Sequence, residues 1–245
     1  MVEKHSKFHG VAVSPGIAWG KACIMGSPPK ITRKKIRAAQ VTQELVRLTQ
    51  AIDSSHEQIE TLRDSIKSRL SAKEAAIFDT HLLFLKDPVF IAQIQKKLIG
   101  EQINVEAAVE DVIEESIAVF KSTQDSYLKE RIQDIRDVGG RILDNLIGYS
   151  QQCLIGEEKH LIIVSPEITP SQAAGFNTTQ IKGLITEKGG PTSHAAILAR
   201  SLGIPLVTGI PNFSRHIELS TPVFLNGYTG EVIINPSHRQ IQKYR

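Results

Sequence analysis

The chain has 245 residues, 41% of them hydrophobic and 22% charged, with 29 Lys and Arg against 26 Asp and Glu and a formal net charge of +3. That length allows one large or two modest domains with a sizeable core, and so mild a charge, without any basic run interleaved with aromatics, argues against nucleic acid as a partner. The opening Met1-Val2-Glu3-Lys4-His5-Ser6-Lys7 has no apolar signal core and no stretch is long enough to insert in a membrane, so the expectation is a soluble, cytoplasmic protein.

Residues up to about Met25 are rich in Val, Ile and Gly and read as one or two strands around the turn Ser14-Pro15-Gly16. Gly26-Ser27-Pro28-Pro29 breaks the pattern. From about Thr32 to Gly148 the periodicity is helical. Val41, Leu45, Leu48, Ile52, Ile59, Leu62, Ile66 and Leu70 recur at steps of three, four and seven, which predicts one long amphipathic helix. Asp87-Pro88 marks a new start, with Asp as cap and Pro in the first turn. Ala108, Val112, Ile113, Ile117 and Phe120 form one further apolar face, and Leu128, Ile132, Ile135, Gly139, Ile142 and Leu146 another. Three or four such helices make a bundle. Gly139-Gly140 should each cost about 1 kcal/mol relative to Ala inside a helix, which close helix packing would offset.

After Gly148 the pattern returns to strands: 161–164, 183–186, 205–209, 223–227 and 231–234. Strands alternating with short helices predict an α/β layer. The N-terminal strand is expected to join that sheet, making the helical bundle an insertion. Cys23 and Cys153 lack metal-ligand or redox spacing. They read as reduced thiols, with a disulfide between them as the other reading.

The most informative segment is Gly189-Gly190-Pro191-Thr192-Ser193-His194-Ala195-Ala196-Ile197-Leu198-Ala199-Arg200. It reads as a loop opening into a helix, with a histidine at the helix start. The first helical turn carries free N–H groups and partial positive charge, so an anion is stabilised there. A lone histidine in this position is ordinarily a cap or a surface residue, but the neighbours alter that. Gly189 and Gly190 permit positive φ and close approach of an anion. Thr192 and Ser193 offer a cap and hydroxyl donors. The alanines keep the first turns slim, so a large partner can reach the ring. A neutral imidazole beside an anion site is suited to accept a phosphoryl group, and an ordinary histidine is neutral at pH 7. His194 is therefore the candidate catalytic residue.

At these positions the chain resembles the family of phosphoenolpyruvate-utilising enzymes, whose signature is matched by Gly190, Thr192, His194, Ala195, Ala196, Ile197, Leu198, Ala199 and Arg200. Within that family it resembles the branch serving the bacterial sugar phosphotransferase system, through Val13-Ser14-Pro15-Gly16-Ile17-Ala18, Tyr127-Leu128-Lys129-Glu130-Arg131 with Asp134-Ile135-Arg136-Asp137, and Ile168-Thr169-Pro170-Ser171. Pyruvate phosphate dikinase shares the histidine motif but is not expected to carry the helical middle.

The resemblance implies an α/β plus all-α fold: an α/β phosphohistidine (swivelling) subdomain from residues 1–28 and 150–245, the latter including the start of a C-terminal linker, with an inserted antiparallel helical bundle at 29–149 for docking a carrier. It implies that His194 is transiently phosphorylated and passes the group to the carrier protein HPr. It also implies a second half, a (β/α)₈ barrel binding phosphoenolpyruvate and Mg²⁺, which this chain, stopping at Arg245, lacks. No cofactor is expected in the chain itself. The alternatives are a non-catalytic docking or regulatory module and the phosphohistidine domain of a dikinase.

By the same resemblance Thr169 would contact and orient the histidine ring, though Thr-Pro-Ser is equally a helix start, and both roles can hold. Arg200 is a fixed motif position, and a structural salt bridge is the expected role rather than direct phosphate contact. The apolar stretch around His81 would be the carrier surface, with Phe78, Leu83, Phe84 and Arg131 as contacts and Lys73 as a counter-charge for the phosphohistidine. Two departures stand out. This region is acidic in relatives but nearly balanced here, and Pro191 replaces an Arg found in some relatives, removing an amide donor.

Overall fold

The computed structural model describes residues 6–25, 30–121, 126–149 and 159–242 and, within these, all side chains except those at 120, 121, 126–131 and 194. The chain divides into two compact units, one formed by Met1–Ser27 with Gln151–Arg245 and the other by Pro28–Ser150.

The first unit is built on an eight-stranded sheet. Its strands are β1 (Ser6–His9), β2 (Val11–Ser14), β3 (Ile17–Ile24), β4 (Leu161–Ser165), β5 (Ile181–Thr186), β6 (Leu206–Thr208), β7 (Pro222–Asn226) and β8 (Glu231–Ile234). Their spatial order is β1-β8-β7-β3-β4-β5-β6-β2. The central strands β3, β4, β5 and β6 are parallel, and the flanking pairs are antiparallel. The chain start supplies three strands where one or two were expected, because two glycines interrupt the apolar run. Gly16 takes φ +130, which a side chain would strain. Gly10 donates its N–H to the Gly230 carbonyl at 2.9 Å. A β-carbon on Gly10 would lie 2.4 Å from the Thr208 carbonyl oxygen. β1 and β2 are thus one segment bent at Gly10, and the two margins of the sheet meet there.

β4 is buried along its length, as expected for a parallel strand covered on both faces. Alternate residues Ile162, Val164, Ile185, Val207, Val223, Leu225, Val232 and Ile234 share one face and pack with Phe213 and Ile217. Phe8 meets Phe213 edge-on, with ring centroids 5.1 Å apart. Short helices α1 (Pro170–Ala174), α2 (His194–Ser201) and α3 (His238–Gln242) belong to this unit. Helix α2 buries Ala195, Ala196, Leu198 and Ala199 and packs on α1, β2 and β6. Buried Cys23 is disulfide-bonded, which corrects the reading of a reduced thiol. Cys153, the other cysteine of the sequence, lies outside the described residues, as do His5 and the 26–29 breaker.

The second unit contains αA (Val41–Arg69), αB (Ala72–Leu85), αC (Pro88–Glu101), αD (Val105–Lys121) and αE (Ser126–Ile147). Among the described residues this unit has five long helices where three or four were expected; the cap at Asp87 was expected, and the one at Ser71 adds a further division. Ser71 accepts the Lys73 N–H at 3.1 Å and Asp87 Oδ1 accepts the Val89 N–H at 2.8 Å. Helix αA buries Leu48, Ile59 and Ile66 and packs on αB and αE, while αD packs on αC and αE. Glu44 of αA reaches across to cap αD, accepting the Val105 N–H at 2.8 Å. The Gly139-Gly140 pair divides in role. A β-carbon at Gly139 would lie 2.2 Å from Ile113 Cδ1, so αD and αE approach closely there, whereas Gly140 has open space. Burial pushes the nearby Asp144 carboxyl up to about 6, against the pull of Arg141, and its Oδ1 has no hydrogen-bond partner.

Candidate phosphohistidine loop

The loop that delivers His194 leaves β5 and enters α2. Its first residues are tied to the end of β4: the Glu187 N–H donates to Ser165 O at 3.2 Å and the Lys188 N–H to Pro166 O at 2.9 Å. Gly189 then takes φ +114, a conformation glycine adopts at little cost. Gly190 does not use the freedom expected of it. It leaves space instead, since a β-carbon there would meet nothing within 4 Å. Thr192 is exposed.

Ser193 caps the helix, its Oγ accepting the Ala196 N–H at 3.2 Å, while its own N–H donates to Gly190 O at 3.1 Å. His194 is the first residue of α2, and its side chain lies outside the described residues. Thr169 caps α1 in a reciprocal box: its Oγ1 accepts the Gln172 N–H at 3.2 Å and Gln172 Oε1 accepts the Thr169 N–H at 2.9 Å. α1 packs against α2.

Arg200 departs from expectation. Its guanidinium donates to the carbonyls of Val13 at 3.2 Å and Pro191 at 2.8 Å rather than to a carboxylate. The expected ion pair is corrected to a backbone tie. The reason is that α2 packs on β2, so the end of the helix meets strand and loop carbonyls.

Two residues escaped the sequence reading. Thr186 and Thr208 are buried at the ends of adjacent parallel strands. Thr186 Oγ1 donates to Thr208 Oγ1 at 2.8 Å. Thr208 Oγ1 donates in turn toward the carbonyls of Lys188 at 3.0 Å and Gly189 at 3.3 Å. Only the strand pairing brings them together, so no local signal could have found them.

In the helical unit, Lys73 is exposed, Leu83 is 74% exposed, and half-buried Phe84 meets Phe90 at a centroid distance of 4.5 Å. Phe78 and His81 are both fully buried, which corrects their assignment to a partner surface. Phe78, Leu82 and Leu85 form the stripe that αB turns inward. His81 Nε2 lies 3.2 Å from Asp134 Oδ1 on αE. The Arg131 side chain lies outside the described residues. Among the described residues no cluster of three or more His, Cys, Asp or Glu could hold a metal ion. Among them, too, no helix is long and apolar enough to cross a membrane.

A parallel-centred sheet delivering a histidine at a helix start, in a chain that also carries a separate helical unit, matches a known class. Residues 9–131 match the N-terminal domain of PEP-utilising enzymes and residues 157–230 match their mobile domain. The chain belongs to this family of phosphoenolpyruvate-utilising enzymes.

Within it, the chain is similar to phosphoenolpyruvate-protein phosphotransferase, known as enzyme I. It is 38% identical to that of Priestia megaterium over 97% of this chain and 41% of the relative. It is 37% identical to that of Geobacillus stearothermophilus over 98% and 42%. The chain therefore spans about two fifths of the length of these curated relatives. A solution NMR structure of Enzyme I (nEIt) superposes with a TM-score of 0.78 at 36% identity, covering 96% of both chains. The N-terminal domain of Enzyme 1 - Nitrogen gives 0.67 at 25% identity, covering 96% of this chain and 97% of that one.

Proposed function

We propose that the chain is the amino-terminal phosphotransfer half of enzyme I, in which His194 is transiently phosphorylated and exchanges the phosphoryl group with the carrier HPr. The observation that carries this reading is the loop from Gly189 to Ser193, which ends with His194 as the first residue of a capped helix. One ring nitrogen of neutral His194 attacks phosphorus, a phosphorus–nitrogen bond forms, and the bond to the donor breaks. The uncommitted N–H groups of the first turn favour the phosphoryl oxygens. Transfer of this kind depends on positioning and charge neutralisation more than on covalent help.

In this reading residues 1–28 and 150–245 form a swivelling α/β subdomain, and 29–149 an inserted antiparallel bundle that docks the carrier. Exposed Lys73 and Leu83 and half-buried Phe84 remain candidates for that surface. Phosphoenolpyruvate and Mg²⁺ belong to a C-terminal domain of the full-length enzyme, a further partner. A cytoplasmic location is part of the reading too. The disulfide at Cys23 is at odds with so reducing a compartment, and counting free thiols by mass on the isolated protein decides between them.

The test is incubation with phosphorylated HPr, followed by mass measurement at neutral and acidic pH. The reading expects an acid-labile phosphoryl adduct that maps to His194. A folded chain that gains no adduct, or gains an acid-stable one, sinks it.

A further inference from the structure

We infer that Thr208, seconded by Thr186, is a positioning residue for phosphoryl transfer: its hydroxyl fixes the loop that presents His194. The inference deepens the proposed function and rests on it. The hydroxyls form a directed chain. Thr186 donates to Thr208, which leaves the single proton of Thr208 to be shared between the Lys188 and Gly189 carbonyls. Both threonines are at least 96% buried, whereas Lys188 and Gly189 are exposed, so Thr208 is the buried anchor to which an exposed stretch of the loop is tied.

Thr208 holds the loop at its point of greatest backbone constraint. Gly189 sits at φ +114, and Thr208 Oγ1 would lie 3.4 Å from a β-carbon placed there. Both backbone polar groups of Lys188 are held, its N–H by Pro166 O and its carbonyl by Thr208. Farther on, Arg200 holds the Pro191 carbonyl. The entry to the loop is therefore fixed by the ends of β4, β5 and β6, and its exit by the helix. Only Gly190, whose surroundings are open, bridges the two grips. The Thr208 hydroxyl proton is directed at the loop carbonyls, so Thr208 acts through the loop.

The experiment compares wild type, Thr208→Val and Thr208→Ser in phosphoryl transfer from phosphorylated HPr. Thr208→Val keeps the β-branched shape that suits a strand and removes only the hydroxyl. The expected result is a fall in kcat of about tenfold or more with KM for the carrier unchanged, since a misplaced reacting group loses rate and not docking. Thr208→Ser restores the rate, and the Gly189 and Gly190 amide resonances move in Thr208→Val but not in Thr208→Ser. Thr186→Val, which removes the donor to Thr208 but spares the loop contact, gives a smaller loss and keeps the test open if Thr208→Val does not fold. Wild-type transfer by folded Thr208→Val, or a loss appearing in KM alone, overturns the inference while the function stands. A wild type that accepts no phosphate overturns the function itself, and the inference with it.

Discussion

Arg200 Nη2 lies 2.8 Å from the carbonyl oxygen of Pro191, nine positions earlier in the chain. The same guanidinium reaches Val13 O on β2, so one side chain ties helix α2 to its own approach loop and to the sheet. Arg200→Ala should leave the fold intact but slow phosphate acceptance by about tenfold, through a loosened loop. Arg200→Lys should recover part of the rate, because an ammonium can bond one carbonyl well but lacks the fork for two. Single-turnover transfer with circular dichroism as the fold control measures both.

His194→Ala should abolish the acid-labile adduct with no change in thermal midpoint. Adduct persisting in this variant would move the acceptor to another residue.

Gly139→Ala should destabilise the helical unit by about 2 kcal/mol, because the added carbon overlaps Ile113 at a tightly packed crossing. Gly140→Ala, in open space, should instead stabilise by about 0.5–1 kcal/mol through helix propensity. Ile113→Ala combined with Gly139→Ala should cost less than the two separate losses added together. Urea denaturation reads all three, and equal effects at the two glycines would refute the packing account.

Asp144 gives a pH-dependent prediction. Its folded carboxyl titrates near 6 against an ordinary 3.8, so folding favours the protonated form. The associated stability is complete below about pH 4 and is lost as pH rises through 6. Asp144→Asn should therefore be more stable than wild type at pH 8, by about 1 kcal/mol after allowing for partial solvent screening. The difference should vanish below about pH 4. A constant difference across pH would show that the group is not the one titrating.

Leu83→Asp should weaken HPr binding with little effect on stability, since Leu83 is 74% exposed. Phe78→Ala should do the reverse, costing about 3–5 kcal/mol as a core truncation. Calorimetry of carrier binding set beside chemical unfolding separates the two, and unchanged binding in Leu83→Asp would exclude that patch.

What could be read in advance was local. The loop before His194 declared itself because Gly189, Ser193 and the alanines each act within a few residues of the histidine. Helix αA was legible because its periodicity runs unbroken from Val41 to Leu70. The stretch Phe78–Leu85 misled because it holds so many apolar residues that no single face stands out, and only the packing of αB on αA and αE chose one. Arg200 and Thr208 were opaque for another reason. Their partners lie on strands and loops that meet only once β2 and β5 have taken places beside β6. Gly10 was equally silent: a break in a strand is not visible when the residues on both sides still look like strand.

Because one bent segment supplies both margins of the sheet, its exposure to foreign strands is a single event and not two. If residues 6–14 peel away, the open backbones of β8 and β6 appear together, and either can pair with the same segment of another molecule. Strand exchange between copies would then begin at the N-terminal segment, and Gly10, which tolerates no side chain against the Thr208 carbonyl, would be the residue whose replacement sets it off.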